Sequence, residues 1–285
     1  MDKNRRRTRV QWLTALVANG YLPGWLKGTI YQGRLKSICV PFLNCYSCPG
    51  ALGSCPVGAL QSLLAGWSRT LSLYVSGFLL AVGALGGRFI CGWLCPFGLV
   101  QELVHSPRRR RQLPRLLQKL KYGVLGLTVA LPLFWRNFAG LAEPYFCKFI
   151  CPAGTLGAGI PLIVRNSQLA ALAGWLFGWK LLVLVLIIIA AYFYWRPFCR
   201  VLCPLGAFYG LLNRLSIWQL RLDSSRCINC GVCARRCPAA LQPQVRPNSS
   251  ECVRCLECVG VCPTKALLFS SRPQPVRPHT RTKSA

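Results

Sequence analysis

Cysteine spacing constrains this chain more than any other feature of its sequence. Between residues 227 and 262 the pattern C-x2-C-x2-C-x3-C-P occurs twice. Three closely spaced cysteines can bind one face of a [4Fe-4S] cube, and the cysteine before proline in each run then binds the other cube. The pattern predicts two clusters, cluster 1 held by Cys227, Cys230, Cys233 and Cys262, and cluster 2 held by Cys237, Cys252, Cys255 and Cys258.

Two other uses of cysteine fit this pattern less well. Zinc is also commonly held by four thiolates, but zinc sites usually show two C-x2-4-C pairs rather than a triple followed by Cys-Pro. Disulfide frameworks are typical of short secreted domains. This chain has 285 residues, 53% of them apolar, and its 18 cysteines are grouped in Cys-Pro motifs. We therefore interpret the cysteines as iron ligands.

Four apolar stretches precede the double run, and each is close to the ~20 residues that a bilayer requires. They lie at about 9–27, 70–87, 119–135 and 173–195. Basic flanks and terminal aromatic residues are typical of membrane helices; buried helices of a soluble core are the alternative. The first stretch is the weakest, because polar residues and a proline interrupt it: Asn19, Pro23 and Lys27.

The formal net charge of +29 would by itself favour nucleic-acid binding. The Lys and Arg residues, however, cluster at the N-terminus, in the 88–121 loop and after Arg196, and they are sparse at 28–69 and 136–172. This one-sided distribution is typical of membrane proteins, so we expect membrane lipid and no nucleic acid. It predicts a multi-pass protein of a bacterial or archaeal cytoplasmic membrane, with both termini and the cysteine runs in the cytoplasm. The two sparse loops then face the outside or dip back into the membrane.

The region before the double run contains an internal repeat, at about 45–106 and 147–214. Such repeats indicate two pseudo-symmetric halves. The segments that follow the second motif of each half, 97–105 and 205–217, are predicted to be short interfacial helices. The matching motifs are Arg88-x2-Cys91-x3-Cys95-Pro96-x-Gly98 with Arg196-x2-Cys199-x3-Cys203-Pro204-x-Gly206, and Cys55-Pro56 with Cys151-Pro152.

These patterns predict a mainly α, integral membrane fold with about four transmembrane helices in two pseudo-symmetric halves. A small C-terminal α+β domain with two [4Fe-4S] clusters follows. The predicted divisions are a transmembrane domain at 1–218, the two-cluster domain at 219–270, and a disordered basic tail at 271–285.

The repeat also indicates how the remaining cysteines pair. Two pairs fall on the cytoplasmic side by topology and would form an inner set: Cys91, Cys95, Cys199 and Cys203. An outer set on the other face combines Cys48, Cys55, Cys147 and Cys151, and leaves Cys39 and Cys45 unassigned.

A competing pairing keeps each half to itself and groups Cys147, Cys151, Cys199 and Cys203. It requires deeply re-entrant loops, because ~30 Å of hydrocarbon separates the two ends of a span. Buried cysteines that bind nothing are a further alternative.

The roles of three basic residues near these motifs can be interpreted in more than one way. Arg88 and Arg196 are either positive-inside anchors or groups that stabilise the extra negative charge of a reduced cluster. Lys180 is either buried beside a redox site or, as we expect, extends toward the outer interface. No residue is assigned a catalytic role.

With Cys91-x3-Cys95-Pro96 and Cys199-x3-Cys203-Pro204 followed by the double run, the chain resembles the NapH/NosR/YccM-type membrane polyferredoxins over about residues 70–265. The resemblance implies a cytoplasmic ferredoxin module on a helical membrane anchor. It also implies electron movement between the quinone pool or soluble donors and a reductase.

We therefore expect a membrane-bound electron carrier with about four [4Fe-4S] clusters that works with a redox partner protein or with quinone. A carrier subunit is expected rather than a stand-alone enzyme. Two other classes stay open: a quinol dehydrogenase or metal-ion reductase in its own right, and an assembly factor for metalloenzymes.

Overall fold

Cysteine–proline pairs start helices in both repeats. In this computed structural model, which describes residues 2–65, 73–106, 112–135 and 142–271, Cys95 and Cys203 directly precede helices that begin at Pro96 and Pro204. Both cysteines have φ −75° and ψ 115°. Proline suits the first helical position because its fixed φ matches the helix and an N–H there would have no helical partner. The sequence repeat is therefore also a repeat of backbone structure.

The described residues are mainly helical. Their α-helices are α1 (Asp2–Ala18), α2 (Leu22–Lys27), α3 (Pro56–Ala65), α4 (Leu73–Gly86), α5 (Phe89–Trp93), α6 (Pro96–Val104), α7 (Arg115–Phe134), α8 (Pro152–Gly154), α9 (Ile160–Arg165), α10 (Ser167–Ala171), α11 (Trp175–Phe193), α12 (Pro197–Val201), α13 (Pro204–Leu212), α14 (Val232–Arg236) and α15 (Glu257–Gly260). A 3-10 helix covers Arg34–Ser37, and π-helical segments cover Phe146–Ile150 and Thr155–Gly159.

The first predicted membrane segment, 9–27, is not a single helix. It is divided between α1 and α2, with a break between them. The Asn19 side chain donates to the Ala15 carbonyl at 3.0 Å, the same oxygen that accepts the Asn19 backbone N–H at 3.2 Å. Pro23 lies at the start of α2, where proline is tolerated. The prediction of one span here is therefore corrected by the polar and proline residues that interrupt it.

The other three predicted segments coincide with α4, α7 and α11, although residues 66–72 lie outside the described ranges. Among the described helices, α11 is the one long and apolar enough to cross a membrane by length and composition. Its apolar window is only 17% buried. The mainly helical fold is thus confirmed, while four membrane crossings stay a prediction.

One hydrophobic core joins the two halves. Helix α13 packs against α4 and α7, and α6 packs against α1 and α11. Segments 97–105 and 205–217 contain most of α6 and α13. One face of each helix enters this core, where Gln101 and Tyr209 are fully buried, whereas Leu103 and Leu211 are 60% and 55% exposed, so the interfacial position stays a prediction. The core contains the unassigned Cys39 and cysteines from both sets, namely Cys55, Cys91, Cys95, Cys151, Cys199 and Cys203.

The C-terminal module, residues 219–270, is bracketed by two short strands. Strands β1 (Gln219–Leu222) and β2 (Leu267–Ser270) pair antiparallel. Between them, α14 and α15 each follow the start of one cysteine run and pack against each other. Of the predicted tail at 271–285, all but the first residue lies outside the described ranges.

Candidate iron–sulfur sites

The two cysteine runs of the module form two separate thiol-lined cavities. Each cavity takes three cysteines from one run and the last cysteine of the other. One is lined by Cys227, Cys230, Cys233 and Cys262, and the other by Cys237, Cys252, Cys255 and Cys258. The structure thus brings together the same two groups of four that the spacing predicts for cluster 1 and cluster 2.

Backbone turns of the same kind wrap both cavities. Residues at equivalent positions of the two runs have positive φ, in three pairs: Asn229 (53°) with Arg254 (54°), Gly231 (68°) with Leu256 (63°), and Ala240 (53°) with Lys265 (52°). This left-handed conformation is unfavourable for residues other than glycine. Its recurrence shows that the cysteine positions, rather than the local residue types, determine the path of the chain.

The thiols of the inner set lie beside one another. Burial raises the pKa of Cys91 to about 11 and that of Cys95 to about 12, and the neighbouring Cys199 adds to both rises. Burial, followed by Cys199 and Cys91, also raises the pKa of Cys203. These four residues come equally from the two repeats, so the structure brings together the cross-repeat group and not the pairing within each half.

A cavity of about 300 Å³, which we call the outer cavity, is lined by four further thiols: Cys45, Cys55, Cys147 and Cys151. Burial, followed by Cys45 and Cys55, raises the pKa of Cys151 to about 12. Cys48, the predicted fourth member, does not line this cavity but an adjacent one that Cys45 also reaches. Cys45 and Cys48 are joined by a tight turn, with the Cys48 N–H donating to the Cys45 carbonyl at 3.0 Å.

Lys180 also lines the outer cavity, although the sequence suggested that it extends to the outer interface. Its ammonium group opposes the burial that raises the pKa of Cys151. The sequence does offer an indication of this position, because Lys180 is the one charged residue within α11.

The inner set and the outer cavity share a neighbour. Tyr209 is fully buried, and its hydroxyl donates to the Pro41 carbonyl at 3.0 Å. Burial raises its pKa, and so do the adjacent thiols of Cys91 and Cys55, which belong to different sites. The sparse loop that contains Pro41 therefore folds back onto the inner motifs.

The module is docked onto the inner motifs by buried and partly buried hydrogen bonds. The Asn213 side chain donates to the Cys252 carbonyl at 2.8 Å, and the Trp93 indole donates to the Arg254 carbonyl at 3.1 Å. Arg254 in turn donates to the Gly86 carbonyl at 2.8 Å. The cluster 2 cavity consequently lies between the inner set and the cluster 1 cavity.

Two buried arginines lie at the inner set. Arg88 Nη2 donates to the Cys199 carbonyl at 2.8 Å, and Arg196 Nη1 donates to the Cys91 carbonyl. Both side chains are fully buried. Their guanidinium groups oppose the burial that raises the pKa of Cys91.

The donor set of all four sites fits [4Fe-4S] clusters. Each site offers four sulfur ligands, and soft thiolates favour iron–sulfur clusters, although they also bind zinc. Within the described ranges, no three His, Cys, Asp or Glu side chains converge closely enough to hold a single metal ion. A [4Fe-4S] cube binds one thiolate at each of its four iron corners. Its four cysteines therefore lie farther apart than the ligands of a single metal ion.

Comparison with protein families agrees with these sites. A 4Fe-4S binding domain model matches residues 54–72, 68–114, 124–168 and 174–221. A 4Fe-4S dicluster domain model matches residues 219–263. Together the first four segments cover more than half of the chain, and no solved structure matches it.

Curated relatives carry related names. The methylamine utilization ferredoxin-type protein MauN of Paracoccus denitrificans is 30% identical over 66% of this chain and 62% of its own length. The ferredoxin-type protein NapH of Haemophilus influenzae is 26% identical over 83% of this chain and 74% of its own length. YccM of Escherichia coli is 28% identical over 57% of this chain and 44% of its own length. The chain thus spans less than two thirds of several relatives that it matches.

The chain therefore belongs to the NapH/NosR/YccM-type polyferredoxin family of [4Fe-4S] electron-transport proteins.

Proposed function

We propose that this protein relays electrons at or across a membrane through about four [4Fe-4S] clusters. It would connect an outer-face or quinone-pool donor or acceptor with a cytoplasmic redox partner protein. The observation that carries the proposal is the series of four adjoining thiol groups, from the exposed module to the outer cavity. When bound, a [4Fe-4S] cluster supplies a reversible one-electron couple.

Sixteen cysteines would hold these clusters. The module binds cluster 1 and cluster 2 through the residues that line its two cavities. The inner set binds the third cluster. For the fourth we propose Cys45 in place of Cys48, because Cys45 faces the outer cavity together with Cys55, Cys147 and Cys151.

Membrane attachment is supported by the apolar surface of α11. Leu182, Leu186 and Ile189 are 49%, 55% and 51% exposed, and exposed apolar surface of this extent indicates contact with lipid or protein. Leu13 and Leu16 of α1 are exposed in the same way. We propose a multi-pass arrangement in which the basic ends of the helices, both termini and the module face the cytoplasm.

Electron exchange with the cytoplasmic partner would occur at the edge of cluster 1. Cys230 is exposed there, and the adjacent Ile228 is 65% exposed. The cysteines of cluster 2 are covered instead by Trp195, Leu241 and Val253. A docking protein can therefore approach the first site and not the second.

A second candidate function, quinol oxidation by the protein itself, is favoured by a cavity of about 660 Å³ beside the module. Its wall includes Tyr122, Arg200 and Glu251, which could bind a quinone oxygen and accept a proton. Arg200 follows Cys199 of the inner set. Reduction of the clusters by quinol in liposomes, abolished by Arg200→Met, would support this candidate.

The primary proposal is tested by iron and sulfide content with redox-titrated EPR. We expect about sixteen irons per chain, four for each of about four cubes. Cys95→Ser and Cys45→Ser should each lose about four irons, whereas the matched variant Cys48→Ser should retain them all. About eight irons in the wild type, unchanged in Cys95→Ser, would leave only the module clusters and refute the relay.

A further inference from the structure

We propose that Arg88 and Arg196 set the reduction potential of the inner cluster, each reaching from its own repeat onto the cysteine turn of the other. The inference rests on the proposed inner cluster and assigns two residues that act on it. Neither arginine is a ligand. Their role would be electrostatic.

The contacts of the two arginines are reciprocal. Arg88, from the first repeat, donates to the Cys199 carbonyl of the second at 2.8 Å. Arg196, from the second repeat, donates to the Cys91 carbonyl of the first and to the Gly92 carbonyl at 3.3 Å. The two guanidinium groups therefore enclose the inner set from both sides of the pseudo-symmetric repeat.

The glycine of each motif lies against the arginine of the other, most closely at Gly98. A Cβ atom on Gly98 would lie 3.0 Å from Arg196 Nη1. A Cβ atom on the equivalent Gly206 would lie 2.8 Å from the Cys199 carbonyl oxygen and 3.5 Å from Arg88 Nη2. In the shared Arg-x2-Cys-x3-Cys-Pro-x-Gly pattern, the arginine of each repeat thus lies beside the glycine of the other repeat.

Each arginine shares a carboxylate with a second buried cation. Arg88 Nη1 lies 3.7 Å from Glu251 Oε2, and Lys121 binds the same carboxylate. Arg196 Nε lies 3.0 Å from Glu102 Oε1. Arg7 lies 3.1 Å from that same oxygen and 3.9 Å from Glu257 Oε1. All four cations are at most 4% exposed.

On the Arg88 side, Arg88 and Lys121 share one carboxylate, which leaves positive charge in excess; on the other side, two carboxylates, Glu102 and Glu257, lie beside Arg7 and Arg196. Buried charge without a counter-charge is strongly unfavourable. Four thiolates around an Fe–S core of about +2 carry about −2, and the two guanidinium groups that enclose the inner set favour this negative charge. Reduction adds one electron and one further negative charge, and no proton is needed for the balance. The cations therefore favour the reduced form.

The size of the effect follows from Coulomb's law. At an effective dielectric constant of about 20 and a separation of about 10 Å, one charge changes the reduced-to-oxidised ratio on the order of tenfold. For a one-electron couple, a tenfold change in that ratio corresponds to about 59 mV.

The test is redox-titrated EPR on the full-length, cluster-loaded protein, using the signal that is absent from Cys95→Ser. Arg88→Gln and Arg196→Gln should each lower the reduced-to-oxidised ratio of that signal at fixed potential by about tenfold. Arg88→Lys and Arg196→Lys keep the charge and should stay near the wild type. The exposed Arg214→Gln is the matched control and should shift no signal.

Glu102→Gln supplies a change of opposite sign. The amide oxygen can still accept from Arg196, but the negative charge is gone, so the ratio should rise by about tenfold. This variant keeps the proposal falsifiable if the arginine variants lose the cluster. Full iron content with no shift in Glu102→Gln would overturn the role of the arginines and leave the relay standing. A wild type without the inner signal would instead refute the proposed function.

Discussion

At the residue scale, the cysteine turns depend on backbone conformations that most residues avoid. Arg254, Leu256 and Lys265 have φ values between 52° and 63°. For non-glycine residues this conformation costs roughly 1–2 kcal/mol. It persists because the surrounding ligands and hydrogen bonds fix it, as is common at functional sites. Arg196, with φ 47°, has the same property immediately before Pro197.

Two substitutions of opposite sign follow from these turns. Gly231 has φ 68° and no atom within 4 Å of a Cβ placed on it, so Gly231→Ala should lower the free energy of unfolding by about 1 kcal/mol through the backbone alone. Lys265→Gly should raise it by about 0.5 kcal/mol, since relief of the turn exceeds the added entropy of the unfolded chain. Thermal unfolding of the cluster-loaded protein, followed by cluster absorbance, measures both. If the free energy of unfolding changed in the same direction in both variants, the left-handed backbone would not be the cause.

At the scale of elements, the contact between α5 and the loop after Cys252 determines how the module docks. Gly92 of α5 lies under this loop, and a Cβ there would be 2.4 Å from the Val253 carbonyl oxygen. Two rigid backbones meet at this point, so neither can yield easily. The N-terminal helix reinforces the contact, because the Gln11 amide donates to the Gly92 carbonyl at 2.9 Å.

Gly92→Ala should therefore weaken the contact by which the module docks onto α5. Overpacking of this kind costs about 1–3 kcal/mol, and we expect faster hydrogen exchange in the loop around Val253. Gly123→Ala in α7 is the matched control, because a Cβ at Gly123 meets no atom within 4 Å and alanine favours a helix. Equal hydrogen-exchange rates in the two variants would show that the close approach of Gly92 to the Val253 carbonyl does not contribute to stability.

The sequence predicts best what depends on local spacing. The two groups of four cysteines in the module follow from the double run, since three ligands come from one short turn. The choice between Cys45 and Cys48 does not follow from it, because the two residues lie at the two ends of one short turn and only the fold of the distant Cys147 segment distinguishes them. The left-handed positions of Arg254 and Leu256 are equally hidden, since neither residue type favours them. The break between α1 and α2 coincides with Asn19 and Pro23, the residues that interrupt the first apolar stretch in the sequence.

At the scale of the whole molecule, the distribution of charge and of exposed apolar surface predicts an orientation. Reporter fusions test it. Alkaline phosphatase inserted after Leu172, before α11, should be active, because it would lie outside the cytoplasm. A fluorescent protein fused to the C-terminus should be fluorescent, and phosphatase at that position should be inactive. The reverse pattern would place the module outside and contradict the charge argument.

The docking of the module also imposes an order on biogenesis. The inner thiols are only 4–7% exposed, and part of what covers them is the segment around Val253, which leaves the ribosome after all four of these cysteines. Once that segment has folded over Gly92, an assembly protein that delivers iron and sulfide can no longer reach them. The clusters nearest the start of the chain are therefore expected to be inserted before the last fifth of the protein folds, so synthesis and cofactor delivery must proceed in step.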